Sequence, residues 1–257
     1  MTETPPLSSD EIERYARHIV MPEIGGPGQQ RLKAAHVAIV GAGGLGSPVA
    51  LYLTAAGVGQ LTIIDDDDVA VSNLQRQILH TTGATGRNKA ANAAHALGDL
   101  NPHVTINAIA KRLTAANADE VLSGAAVVID GSDNARTRYL IADWCAANRV
   151  PLVTGSLYRF EGNLTVLAPW QLQVDANGDG RAMPAIRDIF PDMPEDGTLP
   201  SCAEAGILGP VAGVIGSLQA IEAIKVITGI GTPLIGELLL YDSLAVRFTA
   251  IRVASAP

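Results

Sequence analysis

The first residues suited to chemistry are the glycines of the run Gly-Ala-Gly-Gly-Leu-Gly at residues 41–46. An apolar run precedes them and a helical pattern of apolar residues follows, which predicts a strand, a tight turn and a helix. Glycines let backbone N–H groups approach an anion closely, and a helix N-terminus adds a partial positive charge. The turn is therefore predicted to bind the phosphates of a nucleotide.

Asp65 is the acid expected about 20 residues after such a turn. It ends a second apolar run at residues 61–64, so its carboxylate is predicted at the carboxyl edge of the sheet, where it would bind a ribose hydroxyl. The next three residues are also aspartates. Because consecutive side chains diverge, the four carboxylates are not expected to converge on one ion, and only Asp65 is assigned a role.

Arg76, Lys89 and Asp133 are predicted at the same edge of the sheet. Arg76 belongs to the polar segment at residues 71–77, Lys89 opens a helix, and Asp133 follows the apolar strand at residues 126–130. A dehydrogenase needs the glycine turn and one acid. A site that binds a triphosphate would also need cations to neutralise the phosphate oxygens, here two, and a carboxylate to bind Mg²⁺. The residues favour attack on a phosphate of ATP, with an NAD-dependent oxidoreductase as the alternative.

Alternating strand and helix patterns predict an α/β fold with a doubly wound, Rossmann-like and mostly parallel sheet. An amphipathic pattern at residues 9–20 predicts an N-terminal helical segment, and residues 237–253 predict an antiparallel strand pair that extends the sheet. Residues 1–8 are expected to be disordered. Residues 9–257 are expected to form one domain with a long crossover loop at residues 169–203.

The composition excludes several classes of protein. A net charge of −8 argues against nonspecific binding to nucleic acid or to an anionic membrane. Two cysteines form no disulfide framework, and the first residues carry no signal-peptide pattern, so a reducing, cytoplasmic compartment is expected. The uncharged stretch at residues 205–221 is just short of a membrane span and is predicted to be a buried core helix.

The combined motifs resemble those of the MoeB/ThiF/HesA family, the bacterial relatives of ubiquitin-activating enzymes, over roughly residues 10–250. The similarity is greatest to molybdopterin-synthase adenylyltransferases. It is carried by Arg-Tyr-Ala-Arg at residues 14–17, the glycine turn, residues 72–77, Lys89, Asn-Pro at 101–102, Asp133 with Asn134, and the stretches at 201–206 and 216–225.

The resemblance implies ATP-dependent adenylation of the C-terminal glycine carboxylate of a small ubiquitin-like sulfur-carrier protein ending in Gly-Gly. The carboxylate attacks the α-phosphate, pyrophosphate leaves, and the adenylate serves sulfur incorporation in molybdopterin or thiamine biosynthesis. The resemblance also implies ATP and Mg²⁺ as cofactors, a homodimer, and a carrier tail that runs along the crossover loop.

The resemblance further implies roles for individual residues. The catalytic residues are Arg17, Arg76, Lys89, Asp133 and Cys202. The nucleotide contacts are Gly41, Gly43, Gly44, Gly46, Asp65, Ser72, Asn73, Leu74, Gln75, Arg76, Gln77, Lys89, Asp133 and Asn134. Asp133 is the Mg²⁺ ligand, and Arg17 reaches into the partner's site. Cys202 stands where relatives have a cysteine that can join covalently to the carrier, although a purely structural thiol is equally compatible with the sequence.

The sequence departs from the family at its structural zinc site, which two Cys-x-x-Cys pairs commonly form. Ala185 and Asp188 occupy the positions of the first pair, and no cysteine follows Asp242. Four thiolates are not available, so no zinc and a more mobile crossover loop are expected. From the few residues after the terminal strands, no sulfurtransferase domain is expected.

Overall fold

The computed structural model describes residues 6–174, 180–194 and 206–255. Its helices are α1 Ser9–Arg14, α2 Ala16–Ile19, α3 Gly25–Ala34, α4 Gly46–Ala55, α5 Lys89–Leu100, α6 Ala118–Leu122, α7 Ala135–Asn148, α8 Ile186–Ile189 and α9 Gly209–Thr228. Its strands are β1 His36–Val40, β2 Gln60–Ile64, β3 Thr105–Ile109, β4 Val127–Asp130, β5 Leu152–Tyr158, β6 Glu161–Leu167, β7 Leu172–Val174, β8 Gly180–Ala182, β9 Glu237–Asp242 and β10 Arg247–Arg252.

Eight strands form one sheet in the order β10-β9-β6-β5-β4-β1-β2-β3. Strands β1 to β5 pair in parallel, and β6, β9 and β10 extend the sheet in antiparallel fashion. This confirms the predicted doubly wound, mostly parallel α/β fold. The strand order reverses at β1, so the crevice outside the carboxyl ends of β1 and β4 is the switch point where such sheets bind ligands.

Both faces of β1, β2 and β4 are buried, which explains their largely apolar sequences, whereas the edge strand β3 is mostly exposed. In β1, Val37 and Ile39 pack into the core shared with α4, α5 and α9. The alternate residues Ala38 and Val40 pack on the other face, in the core shared with α6 and α7. The sheet is therefore held between two helical layers, and these layers fix the ends of the strands that carry the polar side chains.

The apolar pattern predicts a helix over residues 210–228, and the structure places α9 at Gly209–Thr228. It has 20 residues and is long and apolar enough by composition to cross a membrane, although half of that stretch is buried inside the fold. Gly216 lets it approach α4, because a Cβ there would lie 2.4 Å from the ring of Pro48. The helix contributes Ala220 and Ala223 to the core, as expected of a core helix.

The N-terminal region differs from the prediction in two ways. The single helix predicted at residues 9–20 is two short helices that meet at Tyr15. The prolines and glycines at residues 21–28 predict a connection, but α3 begins at Gly25, because its buried residues Gln29 and Leu32 pack against the rest of the fold and this tertiary contact overrides the low helix propensity of glycine. The expectation of disorder falls partly on residues 1–5, which lie outside the described residues, whereas Ser8 caps α1 in a capping box with Glu11.

Candidate active site

The glycine turn follows β1 as predicted and is sterically restricted. Gly41 has φ of +96°, a conformation that L side chains rarely adopt. A Cβ on Gly46 would lie 1.8 Å from the carbonyl oxygen of Gly41, so only glycine fits there. Within the described residues, the N–H groups of Gly43 and Gly44 have no acceptor. Two free donors at the start of α4 suit an anion.

Asp65 closes the turn from the end of β2. Its Oδ2 accepts from the Ala42 N–H at 2.7 Å, and its Oδ1 accepts from the Asp67 N–H at 2.9 Å. Burial raises the pKa of Asp65, while the positive charge of Lys89 and the two N–H donors act in the opposite direction. Both carboxylate oxygens of Asp65 thus accept hydrogen bonds from nearby backbone N–H groups. This structural role is additional to the predicted contact with a ribose hydroxyl.

The segment at residues 71–77 lies directly over the glycine turn. A Cβ on Gly44 would lie 3.5 Å from Cγ of Arg76, and one on Gly43 would lie 3.5 Å from Nε2 of Gln77. The start of α9 supports this segment from the other side, because a Cβ on Gly209 would lie 2.3 Å from the carbonyl oxygen of Gln75. The structure therefore brings Arg76 and Gln77 of the predicted segment to the turn, while Ser72, Asn73 and Leu74 lie in and at the end of the short 3₁₀ helix that precedes them.

Lys89 is buried at the first position of α5, and its Nζ donates to Oδ2 of Asp67 at 2.8 Å. Asn88 fixes this helix start: its Oδ1 accepts from the Ala91 N–H, and its Nδ2 donates to the carbonyl of Asp65. The ammonium group lies close enough to Asp65 to influence its titration. Lys89 is a buried cation at the same edge of the sheet as the turn.

Asp133 lies in the turn after β4, which touches the glycine turn: a Cβ on Gly41 would lie 2.6 Å from the carbonyl oxygen of Gly131. The Asp133 carboxylate is exposed, and its one recorded hydrogen-bond contact is with Nδ2 of Asn134, at 3.5 Å. The side-chain oxygen of Asn134 caps α7 by accepting from the Thr137 N–H. Asp133 is thus available to a ligand, whereas Asn134 also serves the helix.

The acidic run after β2 comes closer together than its sequence suggested. Ligand atoms of Asp65, Asp66 and Asp67 lie within 4.8 Å of one another, while Asp68 is outside this group. Asp66 accepts from Nε of Arg112, and Asp67 accepts from Lys89. Since both exposed members have cationic partners and Asp65 binds backbone N–H groups, we assign no metal to this cluster.

Arg17 does not lie at the turn of its own subunit. It follows Tyr15, whose ring packs against Gly57 and whose hydroxyl accepts from Nδ2 of Asn101. These residues follow the C-terminal ends of α4 and α5, at the amino edge of the sheet. The length of the ten-residue α4, about 15 Å, therefore separates this region from the glycine turn. The predicted Cys202 lies outside the described residues.

Sequence analysis missed two groups that shape the site. Asp130 is fully buried at the end of β4, where it accepts from Nε of Arg138 at 2.8 Å and from the hydroxyls of Ser132 and Thr154. His80, buried at the end of the polar segment, contacts the carbonyl of Ala42. Asp130 could have been recognised from its position, because it is a polar residue at the end of an otherwise apolar strand. The sequence around His80 gave no indication of its partner, Ala42.

Side-chain contacts fix residues 185–188, where Ala185 and Asp188 replace the first Cys-x-x-Cys pair. Oδ2 of Asp188 accepts from the Ala185 N–H at 2.7 Å. Arg187 forms a bidentate ion pair with Asp143, and its guanidinium lies 5.3 Å from the ring centre of Tyr139. The described part of the crossover loop is therefore anchored to α7 by charge and aromatic contacts.

Comparison with known proteins identifies relatives along nearly the whole chain. The model of the ThiF family matches residues 15–257. A protein of Thermus thermophilus named sulfur carrier protein adenylyltransferase is 46% identical over 250 residues, which cover 97% of this chain and 90% of that protein. The SAMP-activating enzyme E1 of Haloferax volcanii is 43% identical over 251 residues, 98% of this chain and 88% of the relative.

A longer relative and a solved structure extend the comparison. The probable adenylyltransferase/sulfurtransferase MoeZ of Mycobacterium tuberculosis is 43% identical over 98% of this chain, which spans only 62% of that protein. Escherichia coli MccB, solved with ATP, has a TM-score of 0.79 at 21% identity, covering 97% of this chain and 73% of that one, and it supports the fold alone. From the family match and the identities to its relatives, the chain belongs to the ThiF family.

Proposed function

We propose that this protein adenylates the C-terminal glycine carboxylate of a small ubiquitin-like sulfur-carrier protein with ATP and releases pyrophosphate. The relatives named sulfur carrier protein adenylyltransferase and SAMP-activating enzyme E1 support this activity. Their high coverage of both chains supports transfer of the whole reaction to this chain. We place the reaction in the cytoplasm and assign its product to sulfur incorporation into molybdopterin or thiamine precursors.

The observation that carries the proposal is that the segments bearing Arg76, Lys89 and Asp133 meet the glycine turn, or Asp65 beside it, at one edge of the sheet. The free N–H groups of Gly43 and Gly44 suit phosphate oxygens, and the two cations can neutralise the charge of a polyphosphate. Hydride transfer would make no use of a buried lysine at this position. The side chains therefore favour nucleotidyl transfer over the NAD-dependent alternative.

In this reaction the protein contributes mainly position and charge. The turn holds the phosphates, Lys89 leaves Asp67 to contact polyphosphate oxygens, and Arg76 covers the pocket from the segment above. Attack by a glycine carboxylate on the α-phosphate builds charge on the phosphate oxygens, and fixed cations stabilise that charge. The pyrophosphate leaving group also carries negative charge, and the same cations stabilise it.

Asp133 is the residue that would hold Mg²⁺. Its carboxylate is exposed in the loop whose Gly131 touches the glycine turn, and it has no cationic partner among the described residues, so its oxygens are free to bind a hard cation. When bound, Mg²⁺ would neutralise phosphate charge. Asp130 and Arg138 hold the turn that carries Asp133, since Arg138 also donates to the carbonyls of Ser132 and Gly155.

Arg17 fits the proposal only in a homodimer. It is exposed on α2 at the opposite edge of the sheet, so within one subunit it is remote from Lys89 and the turn. A two-fold partner could bring its own Arg17 to this site, which would complete the set of cations around the triphosphate. We therefore propose a homodimer with each active site built from both subunits.

The test is pyrophosphate exchange into ATP, measured with carriers that end in Gly-Gly. We expect exchange that requires both the carrier and its terminal glycine, and at least a roughly 100-fold loss in Asp133→Ala. Asp99→Ala is the matched control, because Asp99 is an exposed carboxylate at the far end of α5. Absence of exchange with every such carrier would refute the activity, and full exchange by Asp133→Ala would refute the role of Asp133.

A further inference from the structure

His80 is a buried residue that the proposed chemistry does not use. Only 5% of its surface is exposed, and both ring nitrogens have partners. Nε2 lies 2.9 Å from the carbonyl oxygen of Ala42, and Nδ1 lies 2.8 Å from Nδ2 of Asn92 on α5. The imidazole thus joins the glycine turn to the helix that begins with Lys89.

The partners of His80 determine its protonation state. The carbonyl of Ala42 can only accept a hydrogen bond, so Nε2 carries the proton. The amide Nδ2 of Asn92 can only donate, so Nδ1 is unprotonated and the ring is neutral. Burial lowers the pKa of His80, the Ala42 contact opposes this, and Lys89 and Asp65 add smaller and opposite effects.

The hydrogen bond from His80 sets the direction of a neighbouring N–H group. The carbonyl of Ala42 and the N–H of Gly43 belong to one planar peptide unit and point in opposite directions. With the carbonyl held on the buried imidazole, the Gly43 N–H points away from His80. That N–H is among those of residues 43–46 that have no acceptor among the described residues.

A restraint is needed at this peptide because glycine makes it easy to flip. Gly43 accepts either sign of φ, so rotation of the Ala42–Gly43 unit meets little steric resistance. Asp65 holds the preceding N–H, that of Ala42, at 2.7 Å, but this bond restrains only the preceding peptide. The carbonyl contact to His80 restrains the flip itself.

We propose that His80 is a positioning residue that locks the Ala42–Gly43 peptide so that the Gly43 N–H faces the polyphosphate. The inference rests on the proposed function, because it assumes that ATP phosphates bind this turn. His80 does not touch the substrate. It acts through Ala42, and its hydrogen bond to Asn92 keeps the ring in the tautomer that donates to the turn.

The experiment compares three variants by calorimetric affinity for ATP and by the split between KM for ATP and kcat in carrier-dependent exchange. His80→Leu removes the donor, and we expect it to weaken ATP binding and raise KM by about 10- to 100-fold. His80→Gln retains an N–H donor and should recover most of the affinity. His36→Leu is the control: its ring is also partly buried and hydrogen-bonded, to Thr62, but it lies at the amino end of β1.

A merely structural role would lower the melting temperature of His80→Leu without changing the ATP affinity of the folded protein. If the wild type binds ATP and the His80→Leu and His36→Leu variants bind it equally well, the inference is wrong while the proposed function stands. If the wild type binds no ATP, the proposed function fails, and this inference fails with it.

A second measurement needs neither a variant nor ATP. Nitrogen-15 NMR of the wild-type imidazole reports its tautomer directly, and we expect a neutral ring protonated on Nε2 at about pH 7. A ring protonated on Nδ1 alone would lack the donor to Ala42 and would overturn the inference even if His80→Leu failed to fold.

Discussion

At the scale of single residues, Lys89 and Asp67 form an ion pair in which only the cation is buried. The Lys89 side chain is 7% exposed, whereas the Asp67 side chain is 60% exposed. Such a pair adds little net stability, because the lysine loses its hydration on burial and a largely hydrated carboxylate repays little of that cost. The buried charge of Lys89 is therefore better explained by a role in function than by a contribution to stability.

Lys89→Met tests this interpretation. Methionine keeps the apolar contacts of the lysine stem, and Asp67 can be hydrated, so the free energy of unfolding should change by less than about 1 kcal/mol. Carrier-dependent exchange should fall at least about 100-fold, because a cation is lost from the polyphosphate site. Urea denaturation and exchange rates measure the two effects. A strongly destabilised variant that retains exchange would mean that Lys89 is structural.

The pKa shifts of two histidines, His36 and His80, predict how the stability of the protein depends on pH. Burial lowers the pKa of both His36 and His80, while in the unfolded chain each titrates near its ordinary value of about 6.5. Below that pH the unfolded state binds more protons, so the free energy of unfolding should fall as the pH falls. The slope is at most about 1.4 kcal/mol per pH unit for each histidine.

His80→Gln isolates one of these two contributions. The free energy of unfolding of the variant, measured by urea denaturation from about pH 7.5 to about pH 5.5, should fall less steeply than that of the wild type. Asp65, whose pKa burial raises, acts with the opposite sign in both proteins and largely cancels in the comparison. Identical slopes would show that His80 takes up protons equally in both states.

At the scale of elements, the glycine turn allows no side chain at one position. Gly46→Ala should destabilise the protein by at least about 3 kcal/mol and abolish ATP binding, because its Cβ would lie 1.8 Å from a backbone oxygen. Thermal denaturation and ATP affinity measure both effects. A stable Gly46→Ala variant with normal affinity would contradict this geometry.

Gly98→Ala is the control for that substitution, since a Cβ at this exposed position of α5 would meet nothing within 4 Å. Alanine should stabilise the helix by about 0.5–1 kcal/mol, because glycine loses more backbone entropy on folding. The same change from glycine to alanine is thus predicted to destabilise the protein in α4 and to stabilise it in α5.

At the scale of the whole molecule, Arg17 and Lys89 provide a test of an active site shared between two subunits. Arg17→Ala and Lys89→Met should each be nearly inactive alone. Mixed after co-expression, they should recover about a quarter of wild-type exchange, because half of the dimers are mixed and each mixed dimer holds one complete site. Activity of Arg17→Ala alone, or failure of the mixture to recover, would contradict the shared site.

The sequence predicted most elements well because their signals are local. The apolar runs of β1, β2 and β4 each extend over a few residues. The pattern at residues 135–148 likewise predicts a helix, and α7 has these bounds. Helix α3 escaped prediction because its glycines are disfavoured in isolated helices. Packing against the rest of the fold compensates for that weakness, and packing is invisible in a local window.

The sequence by itself determined the glycine turn, the parallel sheet and the side chains at the carboxyl ends of its strands, because strand alternation and turn sterics act within a few residues. The tertiary structure decided the partners: Asp67 for Lys89, Arg138 for Asp130, Ala42 for His80, and the edge of the sheet on which Arg17 lies. His80 and Ala42 are 38 residues apart in the chain, and Lys89 and Asp67 are 22 apart. Only the packing of helices against the sheet brings such groups within hydrogen-bonding distance.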